Sequence, residues 1–154
     1  MKRVRLLTVG RLKTPFWRDA ALYYYKRLSH TLCLEETIVK DAEATLPLVE
    51  RKESEAARLL KGIRPSEELI ALDENGKSMS SESFASFMQS LFESGKTPCF
   101  AVGGAYGLAN SVLCKAKHRL ALGPMTFPHE LARVLLLEQL YRAENILSGT
   151  GYHH

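Results

Sequence analysis

Residues 97–108 read TPCFAVGGAYGL. A short apolar run with strand character meets two adjacent glycines, Gly103 and Gly104. A third, Gly107, precedes LANSVLCKAK (108–117), a pattern that begins a short helix. A strand that turns through glycine into a helix presents backbone amides and carbonyls at the strand's carboxyl end, where a ligand can approach them closely.

The same alternation extends in both directions. Upstream lie a strand VRLLTVG (Val4–Gly10), a helix Pro15–Ser29 with proline in its first turn, a strand Leu32–Val39 and a charged helix over 46–63 that stops near Gly62. A strand Glu68–Asp73, a turn ENGK and a helix Ser80–Ser94 lead into the quoted stretch. Downstream come a strand HRLALG (His118–Gly123), a proline-flanked loop GPMTFP (Gly123–Pro128) and a helix from His129 to Leu147. Strands separated by helical patterns predict one α/β domain over 1–154, a mostly parallel sheet with helices on both faces. Lys40–Leu46 is the segment with least pattern.

Composition narrows the class. With 45% apolar and 25% charged residues the chain can bury a core and is not a disordered tail. A net charge of +4 permits an acidic partner without requiring one. The basic start MKRVRLLTVG lacks a cleavage signature, and no apolar run reaches the roughly 20 residues of a membrane span, so a cytoplasmic protein without a membrane partner is expected. Cys33, Cys99 and Cys114 are odd in number and lack C-x-x-C spacing, which points to reduced thiols and no metal site.

Three loops at predicted strand ends stand out: the one holding Asp73 and Gly76, GGAYGL, and GPMTFP. If their strands are neighbours, the loops line one crevice. The spacing G-G-x-x-G, late in the chain, does not fit a dinucleotide fingerprint, and no G-x-x-x-x-G-K-[ST] occurs. Pyrophosphate is therefore not the expected ligand, and a tight structural turn is the plain alternative. The helix LARVLLLEQLY (Leu131–Tyr141) is apolar on more than one face, which predicts cover on two sides. The second cover is either the monomer's own core or a partner in a homodimer. Arg133 and Arg142 on this helix are either surface charges or contacts for an acidic ligand.

The motifs LIALDENGK (69–77), FAVGGAYGL (100–108), LALGPMTFPHELARVLLLEQLYRA (120–143) and the terminal GYH (151–153) together resemble the ribosomal RNA large subunit methyltransferase H family, of the SPOUT class. The resemblance runs from the first strand to His153. It implies a C-terminal trefoil knot whose loops bind S-adenosyl-L-methionine, and methylation of N3 of a pseudouridine in large-subunit rRNA on the assembled ribosome. By matching position it assigns the cofactor to Leu72, Asp73, Gly103, Gly104, Leu122, Gly123, Pro124, Met125, Thr126, Phe127 and Pro128. Leu72, Leu122, Met125 and Phe127 are then apolar walls and Gly104 the point of close approach.

His129, Arg133, Tyr152 and His153 are the residues expected to orient or deprotonate the target base, with the tail folding over the crevice from the same or the opposite subunit. Lys2, Arg3, Arg5, Arg11, Lys13, Phe16 and Trp17 are candidates for RNA contact. This chain departs from the family pattern in its tail, SGTGYHH, which lacks the usual proline and final cation. It departs again at Ala105 and Tyr106, where Pro-Glu is common. A nucleotide-binding module and a ribosome assembly factor without chemistry are the rival readings.

Overall fold

The structure, a computed structural model, describes residues 1–154. Strands and helices alternate throughout: β1 (Lys2–Val9), α1 (Pro15–Leu28), β2 (Leu32–Val39), α2 (Leu48–Lys61), β3 (Glu67–Ser78), α3 (Ser81–Glu93), β4 (Thr97–Val102), α4 (Asn110–Lys115), β5 (His118–Ala121) and α5 (His129–Ser148). The strands form one sheet in the order β2-β1-β4-β3-β5, and every pairing is parallel.

A parallel sheet needs cover on both faces, because its crossover helices have to pack somewhere. Here α1, α3 and α5 cover one face, packing on Val4, Leu6, Ile70, Phe100, Val102 and Leu120. The smaller helices α2 and α4 cover the other, over Leu7, Val9, Leu69, Ala71, Cys99 and Ala101. The odd-even split of Val4 and Leu6 against Leu7 and Val9 is the two-residue period of a strand buried on both sides. Full burial of a side chain such as Phe100 contributes on the order of 2–3 kcal/mol each.

Two polar groups on β1 are buried and hydrogen-bonded, although Arg5 Nε is left without a partner. Arg5 donates from Nη1 to both carboxylate oxygens of Glu67 (2.9 Å each) and to the Gly62 carbonyl (2.5 Å), which fixes the end of α2 and the start of β3. Thr8 donates to Glu36 at 3.2 Å.

The third strand is longer than its sequence pattern predicts. Leu72 and Lys77 both stand opposite Leu120, so the four residues between them, Asp73 to Gly76, are extruded from the ladder and pairing then resumes through Ser78. The expected turn is thus a large bulge within β3. Gly76 makes it possible, since a Cβ there would lie 2.6 Å from the Arg119 carbonyl. After the bulge Ser80 caps α3 by accepting from the Ser83 amide at 3.1 Å.

The long helix α5 has its two covers within the chain: α1 and α3 flank it above the sheet. Its double-sided apolarity therefore follows from the fold of one subunit. Large exposed apolar residues lie instead on α1, at Phe16, Leu22 and Tyr23.

Cys99 is fully buried, and burial pushes its thiol up to about 12. Cys33 and Cys114 are exposed. Titration of the native protein with a thiol reagent at pH 8 is expected to modify two cysteines rapidly, and the third only after unfolding.

Candidate active site

In the sheet order the carboxyl ends of β4, β3 and β5 are adjacent, so the three loops predicted from sequence meet. They enclose a cavity of about 450 Å³, within the size range of small-molecule sites. Leu72, Asp73, Glu74 and Asn75 come from the β3 bulge, Gly103 to Leu108 from the glycine loop, and Leu122, Gly123, Met125, Thr126 and Phe127 from the last loop. His129 and Ala132 on α5, Lys52 on α2, Asn110 and Leu113 on α4, and Val102 and Leu120 at the strand ends complete the wall. Pro124 and Pro128 are outside the lining and instead set the loop's course, with Pro128 at the cap of α5. Thr126 donates to Glu74 at 2.6 Å, joining the last loop to the bulge.

The glycine loop is a reverse turn. The Gly107 amide donates to the Gly104 carbonyl at 3.0 Å, and Gly107, at φ +80°, takes the left-handed conformation that favours glycine. Gly103 is where backbone meets backbone: a Cβ there would lie 2.5 Å from the Gly107 carbonyl carbon. A Cβ on Gly104 would meet side chains at ordinary contact distance, Val9 at 3.5 Å and Glu55 Oε1 at 3.9 Å. The backbone crowding within this loop therefore lies at Gly103, against Gly107, while Gly104 keeps room on its Cβ side.

Arg133 does not line the cavity. Its side chain is buried and donates to the Gly10 carbonyl (2.8 Å), Thr8 Oγ1 (3.0 Å) and Glu36 Oε1 (2.9 Å). Glu36 also accepts from the Tyr25 hydroxyl, so one ionic cluster ties α5 and α1 to the ends of β1 and β2. One turn earlier on α5, Glu130 accepts from the Lys13 amide at 2.5 Å and the Thr14 amide at 3.4 Å. Desolvation works against the Glu130 carboxylate, but the bonds from Thr14 and Lys13 outweigh it and hold its pKa below the usual range. Within this subunit Arg133 is thus a positioning residue, with three of its five N–H donors committed to the fold.

The tail also lies away from the crevice of its own chain. Tyr152 packs edge-on against Tyr141 at 4.8 Å and under the Arg142 guanidinium, also at 4.8 Å. His153 shares one ring nitrogen with Arg142 at 3.0 Å and the other with Glu82 at 2.7 Å. Arg142 in turn donates to Glu138 at 2.7 Å. Tyr141 is twelve residues beyond His129 on α5, so the tail docks roughly 18 Å along the helix from the cavity. Of the four expected catalytic side chains, only His129 reaches the crevice within one subunit.

Sequence reasoning placed Arg142 among possible acid-binding residues but did not join it to Glu138, Glu82, Tyr24 and the tail. Desolvation raises the pKa values of Tyr24 and Tyr152, and the Glu138 carboxylate adds to it. Three of the amino-terminal candidates for RNA contact enter ion pairs: Lys2 with Glu144 at 2.6 Å, Lys13 with Asp41 at 3.8 Å, and Arg5, buried, with Glu67.

A family model described as predicted SPOUT methyltransferase matches residues 1–153. The chain belongs to this family. A ribosomal RNA large subunit methyltransferase H of Nitratidesulfovibrio vulgaris is 54% identical over 155 residues, covering all of this chain and 99% of that protein. The protein of the same description from Lawsonia intracellularis is 51% identical over 99% of this chain and 98% of its own length. Among solved structures, a probable methylase family protein from Haemophilus influenzae aligns with a TM-score of 0.53 at 14% identity. The alignment covers 95% of this chain and 66% of that one. A probable rRNA-methyltransferase from Porphyromonas gingivalis gives 0.51 at 12% identity, with 95% and 70% covered. These two likenesses concern the fold.

The methyl donor of a SPOUT methyltransferase, S-adenosyl-L-methionine, suits this cavity. Half of the 22 lining residues are hydrophobic, and Leu72, Leu122 and Phe127 offer flat apolar wall for an uncharged adenine. Asp73 and Glu74 on the bulge provide negative charge for the sulfonium and amino groups. Lys52 is the one lysine or arginine in the lining, too little cation for a di- or triphosphate. No group of three or more His, Cys, Asp or Glu side chains is placed to hold a metal ion.

Gly103→Ala is expected to break the Gly104–Gly107 turn and weaken S-adenosylmethionine binding by at least tenfold in calorimetric titration, whereas Gly104→Ala stays within about threefold. Arg133→Ala, which leaves Glu36 without its cation, is expected to cost about 3 kcal/mol in urea denaturation. Arg133→Lys recovers only part of that, because one ammonium cannot reproduce the forked contacts.

Proposed function

We propose that this SPOUT methyltransferase acts on N3 of a pseudouridine in large-subunit rRNA within the assembled ribosome, as a homodimer in the cytoplasm. The observation that carries this is the single crevice formed where the β3, β4 and β5 loops meet, in a chain that shares half its residues, end to end, with ribosomal RNA large subunit methyltransferases H. No helix is long and apolar enough to cross a membrane.

When bound, S-adenosylmethionine supplies a methyl group already activated by its sulfonium, so the protein's work is to position the acceptor nitrogen and remove its proton. Leu72, Leu122 and Phe127 grip the adenine, the turn at Gly104–Gly107 offers backbone groups to its edge, and Asp73 faces the charged end. His129, in the crevice wall at the start of α5, is the group of this subunit able to accept the N3 proton. Glu130 and Arg133 clamp the first turn of α5 and so hold His129 at the wall.

Tyr152 and His153 act from the second subunit. Their distance from their own crevice supports this reading, as does the aromatic stripe on α1 beside them. Phe16 and Tyr23, seven residues apart, share one face and are 64% and 50% exposed, and Tyr24 stands 6.2 Å from Tyr141. An isologous contact across α1 and α5 buries that stripe and carries each tail toward the partner's crevice.

Complementation tests both chemistry and assembly. A chain lacking Gly151–His154 and a Gly103→Ala chain are each expected to be inactive on ribosomes that lack the modification. The deletion is expected to leave folding and cofactor affinity intact. A 1:1 mixture regains about a quarter of wild-type activity, because half the dimers carry one complete site. A mixture that stays inactive shows that the tail works in its own subunit. The product nucleoside, read by mass spectrometry, identifies the methylated atom, and methylation of a ribosome with uridine at the target excludes pseudouridine specificity.

A further inference from the structure

The cofactor and the proton acceptor leave one prominent side chain at the crevice mouth without a role. Tyr106 lies at the tip of the Gly104–Gly107 turn, lines the opening and is 60% exposed. Exposing a large ring on a tight turn forgoes the hydrophobic gain of burying it. The Arg51 guanidinium of α2 stands over this ring at 5.4 Å from its centroid. The next residue, Lys52, lines the cavity.

Arg51 and Lys52 enter no ion pair, as is true of most lysines and arginines of the chain; those paired to a carboxylate are Lys2, Arg5, Lys13, Arg64, Arg133 and Arg142. Arg51 Nε is moreover buried without any hydrogen-bond partner. A buried donor without a partner is unfavourable, and an arriving acceptor satisfies it. The apolar floor for adenine lies deeper, at Leu72 and Leu122, so the ring and the cations form a separate surface at the rim. An open aromatic face flanked by unpaired positive charge matches the chemistry of one nucleotide: a base to stack and a phosphate to neutralise.

We propose that Tyr106 is a stacking platform for a nucleobase flanking the methylated residue, with Arg51 and Lys52 taking the phosphate beside it. This inference rests on the rRNA substrate proposed above, and deepens it by naming the side chains that receive the strand.

The test uses purified ribosomes lacking the modification, with KM for ribosomes and Kd for S-adenosylmethionine measured on the same preparations. Tyr106→Ala is expected to raise the ribosome KM about five- to fiftyfold while leaving the cofactor Kd within twofold, and Tyr106→Trp to restore KM to within about threefold of wild type. Arg51→Gln is expected to reduce the slope of log affinity against log salt by about one. An equal loss of cofactor affinity in Tyr106→Ala would assign the ring to the adenine slot and overturn the proposal. So would a ribosome KM unchanged by Tyr106→Ala, or one that Trp fails to rescue. Wild-type protein that methylates no ribosome defeats the substrate reading itself; active wild type with an indifferent Tyr106→Ala defeats only this one.

Discussion

Two buried charges one turn apart on α5 hold the crevice end of this molecule together. Glu130 gathers the amides of Lys13 and Thr14, and Arg133 gathers the Gly10 carbonyl, Thr8 and Glu36. Both reach across to the same β1–α1 connection, so the first turn of α5 cannot shift without breaking a set of charge-assisted bonds. Everything that α5 brings to the crevice, His129 and the end of the Gly123–Pro128 loop included, inherits its position from that clamp. Such a cluster is a poor source of net stability, since desolvation offsets most of its Coulombic gain, yet losing one member leaves the others stranded.

The crevice is shaped by backbone more than by side chains. The Gly103 backbone touches that of Gly107 and Gly76 that of Arg119, and at both places a single added carbon would collide with peptide atoms. Glycine is thus used for chain crossing, and the ligand meets the turns that result. That economy suits a donor whose methyl group is already activated: placement and proton removal suffice, and placement is what a rigid set of loops supplies. The rim is built differently, with the exposed side chains of Tyr106 and Met125 around the opening.

Much of the fold was legible because parallel sheets have a plain signature. Each strand of VRLLTV or CFAV type is apolar on both faces and ends at glycine or a turn, and the longer helices α1, α2, α3 and α5 are bounded by proline, serine or glycine. The β3 boundary was misplaced because ENGK looks like a turn that ends a strand. Only the pairing with Leu120 on either side reveals a bulge. The helix LARVLLLEQLY was rightly read as covered twice, but periodicity cannot say whether the covering helices come from the same chain.

Within the site, the wall residues Leu72, Leu122 and Phe127 came from the family resemblance, whereas the meeting of the three loops depends on β4, β3 and β5 being neighbours, which the sequence pattern left open. The ionic partners did not follow. Arg133 and Arg142 look alike in sequence, yet one is spent inside on Glu36 and the other stands on the surface with Glu138 and the tail. Lys2 and Arg5 belong to one basic run, yet both are neutralised by residues 60 or more positions away. By itself the sequence determined the α/β class, the order of elements and the composition of the crevice, because these depend on local pattern and on motifs read in order. Which charges are spent, which glycine touches backbone and where the tail lies were decided only by tertiary structure, because each depends on a partner brought close by folding and distant along the chain.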